Sequence, residues 1–249
     1  MSSWSKRRKS LYALVAIVVL VGAVGVPAFR FFYKAPSCFD GVKNGDEQGI
    51  DCGGSCQKLC ASAFIPVTVA WTRFEQVIPG EYNVGAYLIN PNTDGGAKGV
   101  PYHFVLYDQS GVPVSDTKGT VTIPPHRNTL AFQAAVSTAE SVPVRAFFEF
   151  TAPPDWIKEN DTLAPLQIAD KNLTTGVGTS LAVTLHNSAV VPLDHLDVYA
   201  VLYDKDGNTL DFSKTIVDRV PAQGDSIAPF TWPAVHSNVI SIEVLPVAE

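Results

Sequence analysis

The chain has 249 residues, is 46% hydrophobic and carries a formal net charge of −6 that is divided sharply by position. The first 34 residues hold six basic residues and no acidic one, while the remainder holds 12 basic against 24 acidic, net −12. A body this acidic repels a phosphate backbone, which argues against a nucleic-acid partner. The length allows one or two domains, each with enough apolar residues for a core.

Residues 1–10 read as a basic cytoplasmic tail, with Lys6, Arg7, Arg8 and Lys9 ahead of an uncharged run over residues 11–29. As a helix rising ~1.5 Å per residue, that run reaches ~28 Å, close to the hydrocarbon thickness of a bilayer. The basic flank predicts a transmembrane signal anchor over residues 11–33, a single pass through the cytoplasmic (plasma) membrane, and all later residues outside. Two other readings compete. A cleaved signal peptide would use Val26 and Ala28 as the small residues before the cut, against which stand the length of the run and Pro27. A lipoprotein would use Cys38, after a poorly matching Ala35-Pro36-Ser37 and a charged spacer.

All four cysteines, Cys38, Cys52, Cys56 and Cys60, lie in residues 34–62, among turn formers such as Gly41, Gly45, Gly53 and Gly54. Outside the cytoplasm, an even number of close cysteines predicts disulfides, here with three possible pairings. The segment is therefore expected to be a disulfide-fixed collar without a cofactor. Zinc would need tight Cys pairs that this spacing lacks. Asp40, Asn44, Asp46, Glu47 and Asp51 offer oxygens to calcium, but not in EF-hand order. The run through Asp40-Gly41, Asn44-Gly45, Glu47, Gly49 and Asp51-Cys52-Gly53-Gly54 resembles a short cysteine motif of secreted and surface bacterial proteins. Its last spacing is three residues, Gln57-Lys58-Leu59, where two are usual. The resemblance implies an extracytoplasmic adaptor and no activity.

Short alternating runs then dominate, such as Val67-Thr-Val69-Ala-Trp71, Tyr82-Asn-Val84-Gly-Ala86 and Leu181-Ala-Val183-Thr-Leu185. Six or seven such runs per roughly 90 residues, with turn signals between, predict an all-β chain of two tandem immunoglobulin-like β-sandwiches. Their expected bounds are 63–152 and 166–249, joined by a stiff, proline-containing linker over 153–165. The two halves repeat. Phe104-Val-Leu106-Tyr107-Asp108 with Gly111 answers to Ala200-Val-Leu202-Tyr203-Asp204 with Gly207, 96 residues later. Asn90 answers to Asn187, Pro124 to Pro221 and Phe132 to Phe230. Asp108 and Asp204 open hairpin turns in which glycine supplies the positive φ. The doubled Leu-Tyr-Asp stretch is similar to the signature of the FxLYD-type family, small immunoglobulin-like sandwiches of bacterial and archaeal envelope proteins. That resemblance implies a fold and a location, and it carries no catalytic residues.

No nucleophile elbow, zinc-protease pair, phosphate-binding loop or dinucleotide fingerprint occurs. The five histidines are scattered singly. The reading is a non-enzymatic, membrane-anchored protein that displays its sandwiches to an envelope or surface protein partner, or acts as a spacer. The alternative is a carbohydrate-binding or carbohydrate-processing extracytoplasmic protein.

Overall fold

The computed structural model describes residues 3–33 and 35–248, in two compact units covering residues 1–56 and 57–249. The first opens with helix α1 (Ser3–Leu20), a π-helical turn (Val21–Gly25) and helix α2 (Val26–Phe32). Pro27 has no N–H to donate and sits in the first turn of α2, so the ladder slips to wider spacing just before it. Within the helical span Arg7–Phe31 an 18-residue window has a mean hydropathy of 2.5, and none of that window is buried by the rest of the chain. Leu14, Val15, Ile17, Val19 and Leu20 point in different directions around the axis and are all exposed, so the helix is apolar around its circumference and has no stripe facing a core. Its length and composition fit a membrane anchor or a signal peptide.

The second unit is built from strands, as the alternation of its residues requires. Strands β1 (Thr68–Ile78), β2 (Glu81–Ile89), β3 (Gly95–Tyr107), β4 (Pro113–Ile123), β5 (Thr129–Ser137) and β6 (Arg145–Phe150) form two antiparallel sheets, ordered β1-β2-β5 and β4-β3-β6. A short β7 (Ile157–Lys158) also pairs with β3. Then β8 (Leu166–Thr175), β9 (Thr179–Asn187), β10 (Leu193–Tyr203), β11 (Thr209–Val220), β12 (Gly224–Trp232) and β13 (Ser241–Ala248) follow. They pair as β8-β9-β12 and β11-β10-β13, the order of the first six strands repeated. Each pair of sheets encloses its own core. Val84, Ala86 and Leu88 of β2 meet Tyr102, Phe104 and Leu106 of β3 in the first, and Leu181, Val183 and Leu185 meet Val198, Ala200 and Leu202 in the second.

Local hydrogen bonds repeat as well. The Asn90 amide donates to the Pro124 carbonyl at 2.8 Å and that of Asn187 to Pro221 at 3.2 Å. Each asparagine carbonyl accepts the N–H two residues on, from Asn92 and from Ala189. Asp108 accepts from the backbone of Ser110 and Val112, and Asp204 from that of Asp206 and Asn208. Tyr107 and Tyr203 end the matched strands β3 and β10. The pairing of Phe132 with Phe230 needs correction. Ala131 lies opposite Ala86 and Ala228 opposite Val183, which makes the alanines equivalent and shifts the phenylalanines one position apart. A one-residue slip reverses the face, so Phe230 enters the second core while Phe132 points away from the first.

Phe132 points into a third apolar cluster, the seam between the repeats. The outer face of β1-β2-β5 contributes Trp71, Tyr87, Leu130 and Phe132; that of β11-β10-β13 contributes Tyr199, Val201, Tyr203, Phe212, Leu245 and Val247. The Phe212 ring lies 5.5 Å from that of Trp71 and 6.2 Å from that of Phe132. It also covers Gly85, where a Cβ would meet the ring at 2.7 Å. The segment expected to be a spacer is packed too. Trp156 is buried in the first core and stacks on Phe64 at 4.8 Å, while Leu163 is buried in the second core. Prolines around these anchors limit the chain's freedom, but burial fixes it.

Gly85→Ala is expected to overpack the seam against Phe212 and lower stability by about 1–3 kcal/mol. Combining it with Phe212→Leu should recover part of the loss, which a double-mutant cycle in urea would measure.

Candidate functional site

Two regions hold the polar and sulfur groups whose roles the sequence raised: the collar and the seam. In the collar, Cys38 is bonded to Cys56 across 18 residues, with Cα atoms 5.6 Å apart. Cys52 and Cys60 are also disulfide-bonded, and no described cysteine is free. The sulfurs of Cys38 and Cys56 lie close to the buried Glu47, but sulfur in a disulfide offers no thiolate to a metal.

The collar carboxylates are engaged in turns. Asp51, at φ 53°, accepts from the backbone of Asp40 at 3.0 Å and of Gly41 at 2.9 Å. Glu47 accepts from the Asn44 backbone at 3.1 Å, and Asp40 takes both the Val42 N–H and the Asn44 amide. The Ser55 hydroxyl donates to Asp46 at 2.8 Å and holds its carboxyl below the usual range. These bonds spend carboxylate lone pairs on donors that a glycine-rich loop cannot satisfy by forming a sheet. Gly54 is required at its place, since a Cβ there would run into the Asp46 carbonyl.

The remaining residues of interest fall into separate places. Arg7, Arg8 and Lys9 are exposed on α1, whereas the Lys6 side chain lies outside the described residues. Leu106 and Leu202 are buried in their respective cores and Phe104 fills the first. Gly111 and Gly207 take φ of 77° and 78° in the two Asp-led turns. Tyr107 and Tyr203 diverge. Arg145 lies 4.9 Å over the Tyr107 ring on an uncovered face, while Tyr203 is drawn into the seam.

The seam carries the polar groups that composition and motifs did not single out. Glu243 accepts the Tyr87 hydroxyl at 2.7 Å on one oxygen and the Tyr203 hydroxyl at 2.9 Å on the other. Asn128 donates to Tyr87 at 2.8 Å, completing a link between the repeats. Burial, reinforced by Glu243, pushes both tyrosine hydroxyls well above the ordinary phenol pKa, so they remain donors. At the seam's rim, burial and the charge of Asp211 push the Glu75 carboxyl up to about 7, against the pull of Arg73. Asp211 is itself buried and raised by desolvation, although His236 Nε2 lies 2.8 Å from it. One signal for this seam was present in the sequence. Val198-Tyr-Ala-Val-Leu-Tyr203 is continuously apolar, the pattern of a strand covered on both faces.

No protein-family model and no curated protein matches the chain. The arrangement supplies contact surfaces and cross-links.

Removing the Cys38–Cys56 bond by Cys38→Ser and Cys56→Ser together is expected to cost the collar about 3 kcal/mol of ordering. Limited proteolysis should then cut within residues 38–56 while leaving the strands of residues 68–248 intact.

Proposed function

We propose that the chain is a non-enzymatic, single-pass protein of the cytoplasmic membrane with its N-terminus inside. It presents two FxLYD-type, immunoglobulin-like β-sandwiches outside, for contact with an envelope or surface protein or as a spacer. The observation that carries this reading is the 25-residue helical span Arg7–Phe31, whose apolar 18-residue window is unburied by the chain, followed within a few residues by a disulfide-bonded segment. A helix apolar on every side gains nothing in water and is matched to lipid. Disulfides persist in oxidising compartments, which supports placing the segment outside. Arg7, Arg8 and Lys9 on the other flank support the same orientation. The doubled strand order, with an Asp-led turn at the same place in each half, supports the sandwich reading. The absence of a recognisable catalytic motif is the basis for reading it as non-enzymatic, and the net charge of −12 over the residues after position 34 argues against nucleic acid.

Protease added to intact spheroplasts should degrade residues after the helix and leave an N-terminal tag protected, with the tag still on the membrane-bound fragment. A mature N-terminus at Phe29 would sink the anchor. A protease-resistant C-terminal portion in intact spheroplasts, digested only after lysis, would sink the orientation.

A further inference from the structure

We propose that the basic segment at the start of helix α1 is a binding site for the headgroups of anionic phospholipids, which collect around the chain in the leaflet where that segment sits. The site rests on the reading of the helix as a membrane anchor. Lys6, Arg7, Arg8 and Lys9 are consecutive, and the first acidic residue of the chain is Asp40. Helix α1 runs unbroken from Ser3 through these positions to Leu20, with no acidic residue in its first turn. The residues three and four positions away on either side, where a helix places ion-pair partners, are uncharged or basic. Neighbouring like charges repel, and the helix dipole adds positive charge at the same end. No carboxylate of α1 compensates them.

Placement along and around the helix identifies the missing anion. Along the axis, Lys9 is two residues and Lys6 five residues before Leu11, where the uncharged run begins. At ~1.5 Å per residue they lie ~3–8 Å beyond that run, within the ~5–8 Å headgroup layer of one leaflet. Around the axis, successive residues turn by ~100°, so the exposed Arg7, Arg8 and Lys9 cover about 200° of the circumference. A protein partner engages one face of a helix. Lipids surround it, and cations spread around the axis match a surrounding ligand. Arg8 lies 4.2 Å over the exposed Trp4 ring one turn earlier, which holds an amphipathic indole beside the cations.

The chemistry selects for net charge. Every phospholipid carries a phosphate, to which an arginine fork donates two parallel hydrogen bonds. In a zwitterionic headgroup an ammonium already neutralises that phosphate, whereas an anionic headgroup leaves it to Arg7, Arg8 and the two lysines. One such contact per lipid corresponds to roughly fivefold enrichment over a zwitterionic lipid. The attraction fades within a Debye length, so salt weakens it.

The test uses the full-length protein in vesicles of phosphatidylcholine with a minor share of phosphatidylglycerol. A donor dye is placed on Ser10→Cys, an exposed position whose thiol is free to react while the native cysteines are disulfide-bonded. Energy transfer is measured to phosphatidylglycerol or to phosphatidylcholine carrying the same acceptor on an acyl chain. We expect about fivefold more acceptor near the donor for the anionic lipid. The excess should vanish in the variant combining Lys6→Gln, Arg7→Gln, Arg8→Gln and Lys9→Gln. It should also fall steeply in high salt with these residues unchanged, which keeps the test valid if the fourfold variant reconstitutes poorly. Equal transfer to both lipids, or an excess that survives the four substitutions or high salt, would overturn the proposal. Alkaline washing separates this site from the anchor reading. A protein that stays in the vesicles with equal transfer sinks only the lipid site, whereas one that washes off sinks the anchor as well. Both leaflets hold both lipids, so either orientation gives the same answer.

Discussion

The arrangement of the second unit depends on one interaction, the burial of an aromatic face on each repeat against the other. Phe212 is fully buried between Trp71 and Phe132, although it belongs to neither repeat's own core. A fully buried aromatic ring contributes a few kcal/mol, comparable to a substantial share of a small domain's net stability. This makes the seam a third core. It also dictates local sequence at a distance: Gly85 has no side chain because the ring from the other repeat occupies that volume. Polar groups at the seam follow the same logic. Once Tyr87 and Tyr203 are covered, their hydroxyls need acceptors, and Glu243 serves both.

The seam is not symmetric, and the faces equivalent to it on the other side of each repeat differ in composition. The outer face of β10's sheet packs on the outer face of β2's sheet, a head-to-tail contact that in principle extends indefinitely. On the first repeat, however, the positions equivalent to Tyr199, Phe212 and Leu245 are His103, Asp116 and Glu149. His103 lies 3.5 Å from Asp116 and 2.9 Å from Glu149, a charged set in place of an aromatic one. On the second repeat, the equivalents of Tyr87, Leu130 and Phe132 are Thr184, Ile227 and Pro229. Two copies of one fold thus differ where a third copy would dock. The first repeat presents a polar set and the second has no aromatic ring to match it.

Much of this architecture was legible because it follows from local chemistry. Alternation marked the strands, and Asp108 and Asp204 marked turns whose backbone donors they satisfy. The matched Asn90 and Asn187 turned out to make the same hydrogen bonds to matched prolines. The failures share a cause as well. Phe132 and Phe230 were matched by spacing, but a spacing tolerance of one residue is large in a structure whose side chains alternate with period two. Linker residues 153–165 looked like a spacer because prolines stood out, whereas Trp156 and Leu163, one anchoring each core, carried the information. The seam's members come from strands far apart in sequence, and only the unbroken apolar run of β10 betrayed that its outer face was covered.

The collar and the seam solve the same problem by opposite means. Residues 38–56 have almost no apolar residue to bury: Phe39, Val42 and Ile50 are exposed, and order comes from the Cys38–Cys56 bond and from carboxylates closing turns. Such a segment is stabilised mainly through its unfolded state, so its order depends on the redox compartment and little on packing. The strands beyond it depend on packing and contain no cysteine after residue 60. A reductant should therefore loosen the collar and spare the repeats, while a change that disturbs Phe212 should loosen the repeats and spare the collar. The chain's two sources of order differ in kind, covalent closure with turn bonds in residues 38–56 and burial in the strands, and each is suited to the length of sequence it must hold.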